Sequence, residues 1–156
     1  MPLTFVVGDA TQPIGDLKTN KIIAHVCNDI GGWGRGFVLA VSARWKEPEQ
    51  SYRAWNTRTL GDFQLVRVSD KLYVANMVAQ HDIKTVNGIP PIRYDALLAC
   101  LQGLEITARS LFASVHMPRI GCGLAGGTWD KVEPLIKSAL STSDVYIYDL
   151  PGTQQK

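Results

Sequence analysis

"KIIAHVCNDIGGWGRGFVLAVSARW", residues 21–45, carries the decisive pattern. Its opening, "KIIAHVC", is a continuous apolar run and reads as a strand buried on both faces. Its close, "GFVLAVSARW", sets apolar residues at Phe37, Ala40, Val41 and Ala43 to Trp45, which suits a helix. Between the strand and Phe37 stand four glycines, Trp33, and the Asn28–Asp29 pair. A strand that passes through a glycine loop into a helix is the unit from which parallel sheets are built. Four glycines in one loop lose much conformational freedom on folding, so a bound ligand explains them better than packing does.

The same unit recurs late in the chain. "ASVHMP" reads as a strand, "RIGCGLAGG" as a second glycine loop, and "WDKVEPLIKSAL" as a helix starting between Thr128 and Asp130, with Pro134 near its first turns. "LTFVVG" at the start and "DVYIYDL" at the end are predicted strands. "DFQLVRVSDKLYVANMVAQ" is two strands joined by a Ser-Asp-Lys turn. "PEQSYRAWN" and "YDALLACLQGLEITARSLF" are helices, and "HDIKTVNGIPPIR" is a loop. These elements imply a partly parallel sheet covered by helices, with both glycine loops at the carboxyl ends of strands, where ligands gather in such sheets. The 156 residues fit one domain, residues 1–156, with a loose tail at about 151–156.

The chain is 46% hydrophobic and 19% charged, with a formal net charge of +2, so charge gives no reason to expect a nucleic-acid or membrane surface. The three cysteines, Cys27, Cys100 and Cys122, lie in apolar segments without a CxxC, and are read as reduced, buried thiols of a cytoplasmic protein. No His/Cys/Asp/Glu cluster has metal spacing. His25 and His116 fall inside strand runs and are expected to be core or edge histidines with backbone partners.

"GCGLAG", Gly121 to Gly126, matches GxGxxG with a strand before it and a helix after it. Its amides are suited to a diphosphate at a helix N-terminus, or the turn is merely tight. A dinucleotide dehydrogenase fits badly, because that fingerprint belongs in the first βαβ unit. Asn28 and Asp29 can hold a sugar hydroxyl or a water, or close an Asx-turn. Trp33 and Phe37 either wall the cleft or, for Trp33, cover the core. Asp9 accepts from a base amine or caps a turn. Arg119 pairs with phosphate or with a carboxylate.

Taken together, "GDAT", "HVCNDIGGWGRGF" and "MPRIGCGLAGG" resemble, in order and spacing, the macrodomain, a module that binds ADP-ribose. The wording is closest to the branch holding the terminal ADP-ribose protein glycohydrolase, the DNA-ADP-ribose glycohydrolase antitoxins and the ADP-ribose-1″-phosphate phosphatases. The resemblance implies a three-layer α/β/α fold with a mixed central sheet. It places Asp9, Ala10 and Tyr148 at the adenine. It places Asn28, Gly32, Trp33, Gly34, Gly36 and Phe37 around the distal ribose. Arg119, Ile120, Gly121, Cys122, Gly123, Leu124, Ala125 and Gly126 then surround the phosphates. In the branch's glycohydrolases a lysine near the end of the "YVANMVAQ" strand is the nucleophile; Gln80 stands there, or Lys84 after a register shift. The partner acid is replaced by Ala125. The resemblance therefore implies hydrolysis of mono-ADP-ribose from acidic side chains by water, with Asn28, Asp29, Gln80 and His81 as catalytic candidates. Its alternatives are a non-catalytic reader and an ADP-ribose-1″-phosphate phosphatase. Expected with it are no cofactor, ADP-ribose and a mono-ADP-ribosylated protein as partners, nucleic acid only as a modified substrate, no membrane, and a monomer favoured, with the oligomeric state left open by the sequence.

Overall fold

The structure is a computed structural model that describes residues 3–152. The elements are β1 (Leu3–Val7), β2 (Lys21–Asn28), α1 (Phe37–Arg44), α2 (Glu47–Ala54), β3 (Phe63–Ser69), β4 (Leu72–Gln80), α3 (Tyr94–Leu111), β5 (Ser114–Met117), α4 (Trp129–Ala139) and β6 (Val145–Asp149). All stand where the sequence pattern expects them. Residues 153–156 of the expected loose tail lie outside the described residues.

The six strands form one sheet in the order β1-β6-β5-β2-β4-β3. Every pairing is parallel except β3 with β4, which are joined by the short turn at residues 70–71. The mixed sheet follows from the connections: a tight hairpin forces antiparallel neighbours, and helical crossovers allow parallel ones.

Side chains alternate across β2, and that alternation makes the layers. Ile22 and Ala24 pack with Ala75, Met77 and Ala79 of β4 under α3 and α4. Ile23 and Cys27 pack with Val74, Val38, Val41 and Tyr52 under α1 and α2. Apolar stripes on both helical layers thus cover both faces of β2, which explains its unbroken apolar run. The resulting three-layer α/β/α fold with a mixed sheet is the one implied by the sequence. Within α4, Pro134 sits inside the helix without ending it. Among the described residues, no helix is long and apolar enough to cross a membrane.

One irregularity serves the cleft. The β2–β4 register slips between Cys27 and Asn28, so that Asn28 pairs with Gln80. A bulge of this kind re-aims the side chains at a strand end. It brings the last residue of β2 beside the last residue of β4, and both face the loops beyond the sheet.

Candidate functional site

Three adjoining hollows run along the carboxyl edge of the sheet. The first, about 460 Å³, is lined by Gly8, Asp9, Ala10, Phe37, Pro118 and Tyr148, among others. The second, about 190 Å³, lies between the two glycine loops and shares Gly36, Phe37 and Pro118 with the first. The third, about 360 Å³, holds Asn28, Gly32, Gly34 and Ile83, and shares Arg35, Gln80 and Leu124 with the second. A larger cavity, about 850 Å³, opens at the opposite end of the sheet beside Arg109, Phe112 and Asp144. The strand-end cleft is the better candidate, because glycine loops and carboxyl-terminal strand ends converge there.

The second glycine loop is shaped by backbone contacts. Gly127 N–H donates to Gly121 O at 2.8 Å, and Gly126 N–H to Gly123 O at 3.0 Å. Gly121, Gly123 and Gly126 all have positive φ, and a Cβ on Gly126 would stand 2.5 Å from Pro90 Cβ. A short 3-10 turn, Gly123–Ala125, completes the loop. The amides of Gly121 and Cys122 find no strong backbone acceptor among the described residues, while Cys122 bridges Gly127 across the loop and turns the Gly123 N–H toward Gly127. Such a curl of unpaired N–H groups is an anion nest. Arg35 lines the second and third hollows, and its side chain has no hydrogen-bond or ion-pair partner among the described residues.

The residues expected at the adenine come together. Asp9, Ala10 and Tyr148 line one hollow. Asp9 also caps its turn: its Oδ1 accepts from Thr11 N–H at 2.8 Å and from Thr11 Oγ1 at 2.7 Å. Tyr148 accepts from Ile14 N–H at 2.9 Å, which ties this loop to β6.

At the other end, Asn28 forms the frame of the first glycine loop. Its Oδ1 accepts from Gly32 N–H (2.9 Å) and Ile30 N–H (3.1 Å), and its Nδ2 donates to Gly32 O (2.8 Å). Gln80 lines the second and third hollows and donates to Asp82 O at 3.1 Å.

Four candidates sit away from the ligand roles, Trp33 and Arg119 taking the core-cover and carboxylate-pair alternatives that the sequence also offers. Trp33 does not wall the cleft; it is 4% exposed, its Nε1 donates to Ser42 Oγ at 2.7 Å, and its ring packs on Tyr52 and His25. The Arg119 backbone lines the cleft, but its guanidinium is bound to Asp149 at 2.7 and 3.0 Å and lies over Phe5 and Trp129. Asp29 and His81 pair with one another at 2.7 Å, and neither lines the hollows. The other Asp29 oxygen accepts from Asp82 N–H at 2.8 Å. Burial alone would raise the Asp29 carboxyl; the Asp82 amide and the hydrogen bond and charge of His81 outweigh it and hold the group below its ordinary range. Asp29 is therefore an ionised fastener of the 81–93 loop, and makes a poor general base.

The buried histidines have side-chain partners, not the backbone partners expected. His25 Nε2 meets Asn76 Oδ1 at 2.6 Å, and His116 is held between Ser114 and Tyr148 at 2.8 and 2.7 Å. Cys122 is half-buried at the cleft instead of in the core, and burial raises its thiol. Ala125, in the place of the branch's acid, is buried, and its carbonyl accepts from Ile92 N–H at 3.0 Å. Two participants escaped the sequence reading: Arg35, and Ile83 from the 81–93 loop. The signal for Arg35 was present, since an arginine between two glycines has little to pack against.

No family model matches the sequence. A macrodomain protein from Streptomyces coelicolor is 48% identical, superposes with a TM-score of 0.82, and is matched over 95% of this chain and 99% of its own. The chain belongs to the macrodomain family. A Bacteroides thetaiotaomicron protein of unknown function is 54% identical over 96% of this chain and 99% of its own, with a TM-score of 0.92. Among curated proteins, mouse chromodomain-helicase-DNA-binding protein 1-like is 33% identical over 99% of this chain. The chain spans only 18% of that protein and 15% of its zebrafish counterpart. An ADP-ribose 1″-phosphate phosphatase of Lodderomyces elongisporus is 24% identical over 96% of this chain and its whole length.

Proposed function

We propose that this macrodomain, acting in the cytoplasm, binds ADP-ribose along the strand-end cleft and releases it from acidic side chains of proteins. The carrying observation is the order of the hollows. A pocket bounded by Asp9 and Tyr148 suits adenine. Next comes the nest of Gly121 and Cys122 amides in the hollow that Arg35 also lines, which suits a diphosphate. The Asn28 and Gln80 amides then suit a sugar. Hydrogen-bond donors and a cation at the centre, with polar amides at one end, match the charge pattern of the ligand.

For turnover, water attacks C1″ of the distal ribose. The new C–O bond forms as the C1″–carboxylate bond breaks; the freed carboxylate keeps the electron pair, and the water's proton passes to solvent. Among the described residues lining the third hollow there is no carboxylate, histidine or lysine, so attack relies on orientation by Asn28 and Gln80 and on the ligand's own phosphate. Slow turnover is the consequence.

The test is release of ADP-ribose from a glutamate-modified peptide, followed by chromatography. Gln80→Ala is expected to slow release about tenfold, a loss typical of one orienting group, while His81→Ala stays within about threefold. Tight binding without release would leave a reader of ADP-ribose. A second reading, a phosphatase on ADP-ribose-1″-phosphate, is favoured by the reach of Arg35 into the third hollow and by the yeast relative's name. Release of inorganic phosphate from that compound separates it from the first.

A further inference from the structure

We infer that Tyr52 is a positioning residue for the third hollow: its hydroxyl, together with the Ile30 and Gly32 amides, holds the Asn28 amide in place, and so presents an Asn28 N–H to the ligand. The inference rests on the ADP-ribose reading only for the identity of that ligand.

Tyr52 lies on α2, is fully buried, and packs its ring on Trp33, with the Arg58 guanidinium over it at 5.4 Å. No residue of α2 lines the three hollows, so this helix reaches them through Tyr52. Its oxygen is 2.6 Å from Asn28 O, 2.7 Å from Asn28 Oδ1 and 3.2 Å from Gly31 N. A phenol has one proton and can also accept. Gly31 N–H takes the acceptor side, so the single proton is shared between Asn28 O and Asn28 Oδ1.

Asn28 Oδ1 then faces Tyr52 O–H, Ile30 N–H and Gly32 N–H together. A flipped amide would turn NH₂ toward the Ile30 and Gly32 N–H donors and remove one of the two acceptors of the phenol proton, which is costly in a buried setting. The orientation is thereby set. Nδ2 gives one proton to Gly32 O, and its second N–H has no acceptor among the described residues. That proton remains for a sugar hydroxyl in the hollow that Asn28, Gly32 and Gln80 share.

The test compares ADP-ribose with ADP, which lacks the distal ribose, by calorimetry on the wild type, Tyr52→Phe, Asn28→Ala and the double variant. Tyr52→Phe is expected to weaken ADP-ribose about tenfold, the effect of one misplaced hydrogen bond, and to leave ADP unchanged. The double variant should be no weaker than Asn28→Ala, because Tyr52 acts through Asn28. Equal weakening of both ligands, or no weakening, overturns the inference.

In ¹⁵N-labelled protein, the Asn28 side-chain amide should show two distinct proton signals that shift with ADP-ribose but not with ADP, and Tyr52→Phe should move those signals in the free protein. Unmoved signals in a folded Tyr52→Phe, or averaged signals in the wild type, overturn the role of Tyr52. Preference for ADP-ribose absent in the wild type, with the two distinct signals retained, overturns the ADP-ribose reading alone.

Discussion

Arg35 is the side chain whose removal speaks most directly about charge in the cleft. It is exposed between two glycines and unpaired among the described residues, so Arg35→Ala disturbs no internal contact. A lost charge-assisted hydrogen bond to a diphosphate corresponds to a roughly tenfold weaker ADP-ribose complex. The salt dependence of binding should flatten with it, and the melting temperature should not move. Arg119 is its opposite. The Arg119 and Asp149 side chains are 15% and 13% exposed, so Arg119→Ala takes a bidentate cation away from a largely buried carboxylate. A stability loss of about 2–4 kcal/mol is expected in denaturant titration. The two arginines look alike in sequence. One lies between glycines; the other meets a carboxylate thirty residues on, a partner that only the fold supplies. The same holds for Trp33, whose indole finds Ser42 across α1, and for Asp29, which finds His81 across the sheet.

At the scale of elements, the glycine loop after β5 should tolerate little. A Cβ on Gly127 would stand 2.2 Å from Gly121 O, a backbone atom that moves only if the nest opens. Gly127→Ala is expected to weaken ADP-ribose at least about tenfold, and more than Gly34→Ala, whose Cβ would meet no protein atom within 4 Å. Calorimetry on the pair checks this; equal effects would contradict the shape assigned to the loop. Both glycine strings, the buried β2 run and the 3.6-residue pattern of α3 were legible in sequence because they reflect local periodicity and backbone freedom. The bulge that sets Asn28 beside Gln80 was not, since register is a property of two strands together.

For the molecule as a whole, two neutral histidines lie within the fold. Burial lowers His25 to about 4 and His116 to about 3. In the unfolded chain a histidine takes its proton near pH 6.5, so between that value and the folded values the unfolded state binds more protons. Stability is therefore fully present above about pH 6.5 and falls as pH drops toward 4, with each histidine adding a slope of up to about 1.4 kcal/mol per pH unit. Guanidinium unfolding at pH 7, 6 and 5 reads this directly, and a flat profile would contradict the neutral burial of both rings. The layered sheet could be foreseen from alternating strands and helices, but the cleft's division into three hollows depends on where remote loops meet, as at Gly36 and Leu124. Whether those hollows act together is decided by calorimetric titration with ADP-ribose. Saturable heat at one site per chain, weakened by both Arg35→Ala and Gly127→Ala, is expected; no heat at millimolar ligand would contradict the assignment of the cleft.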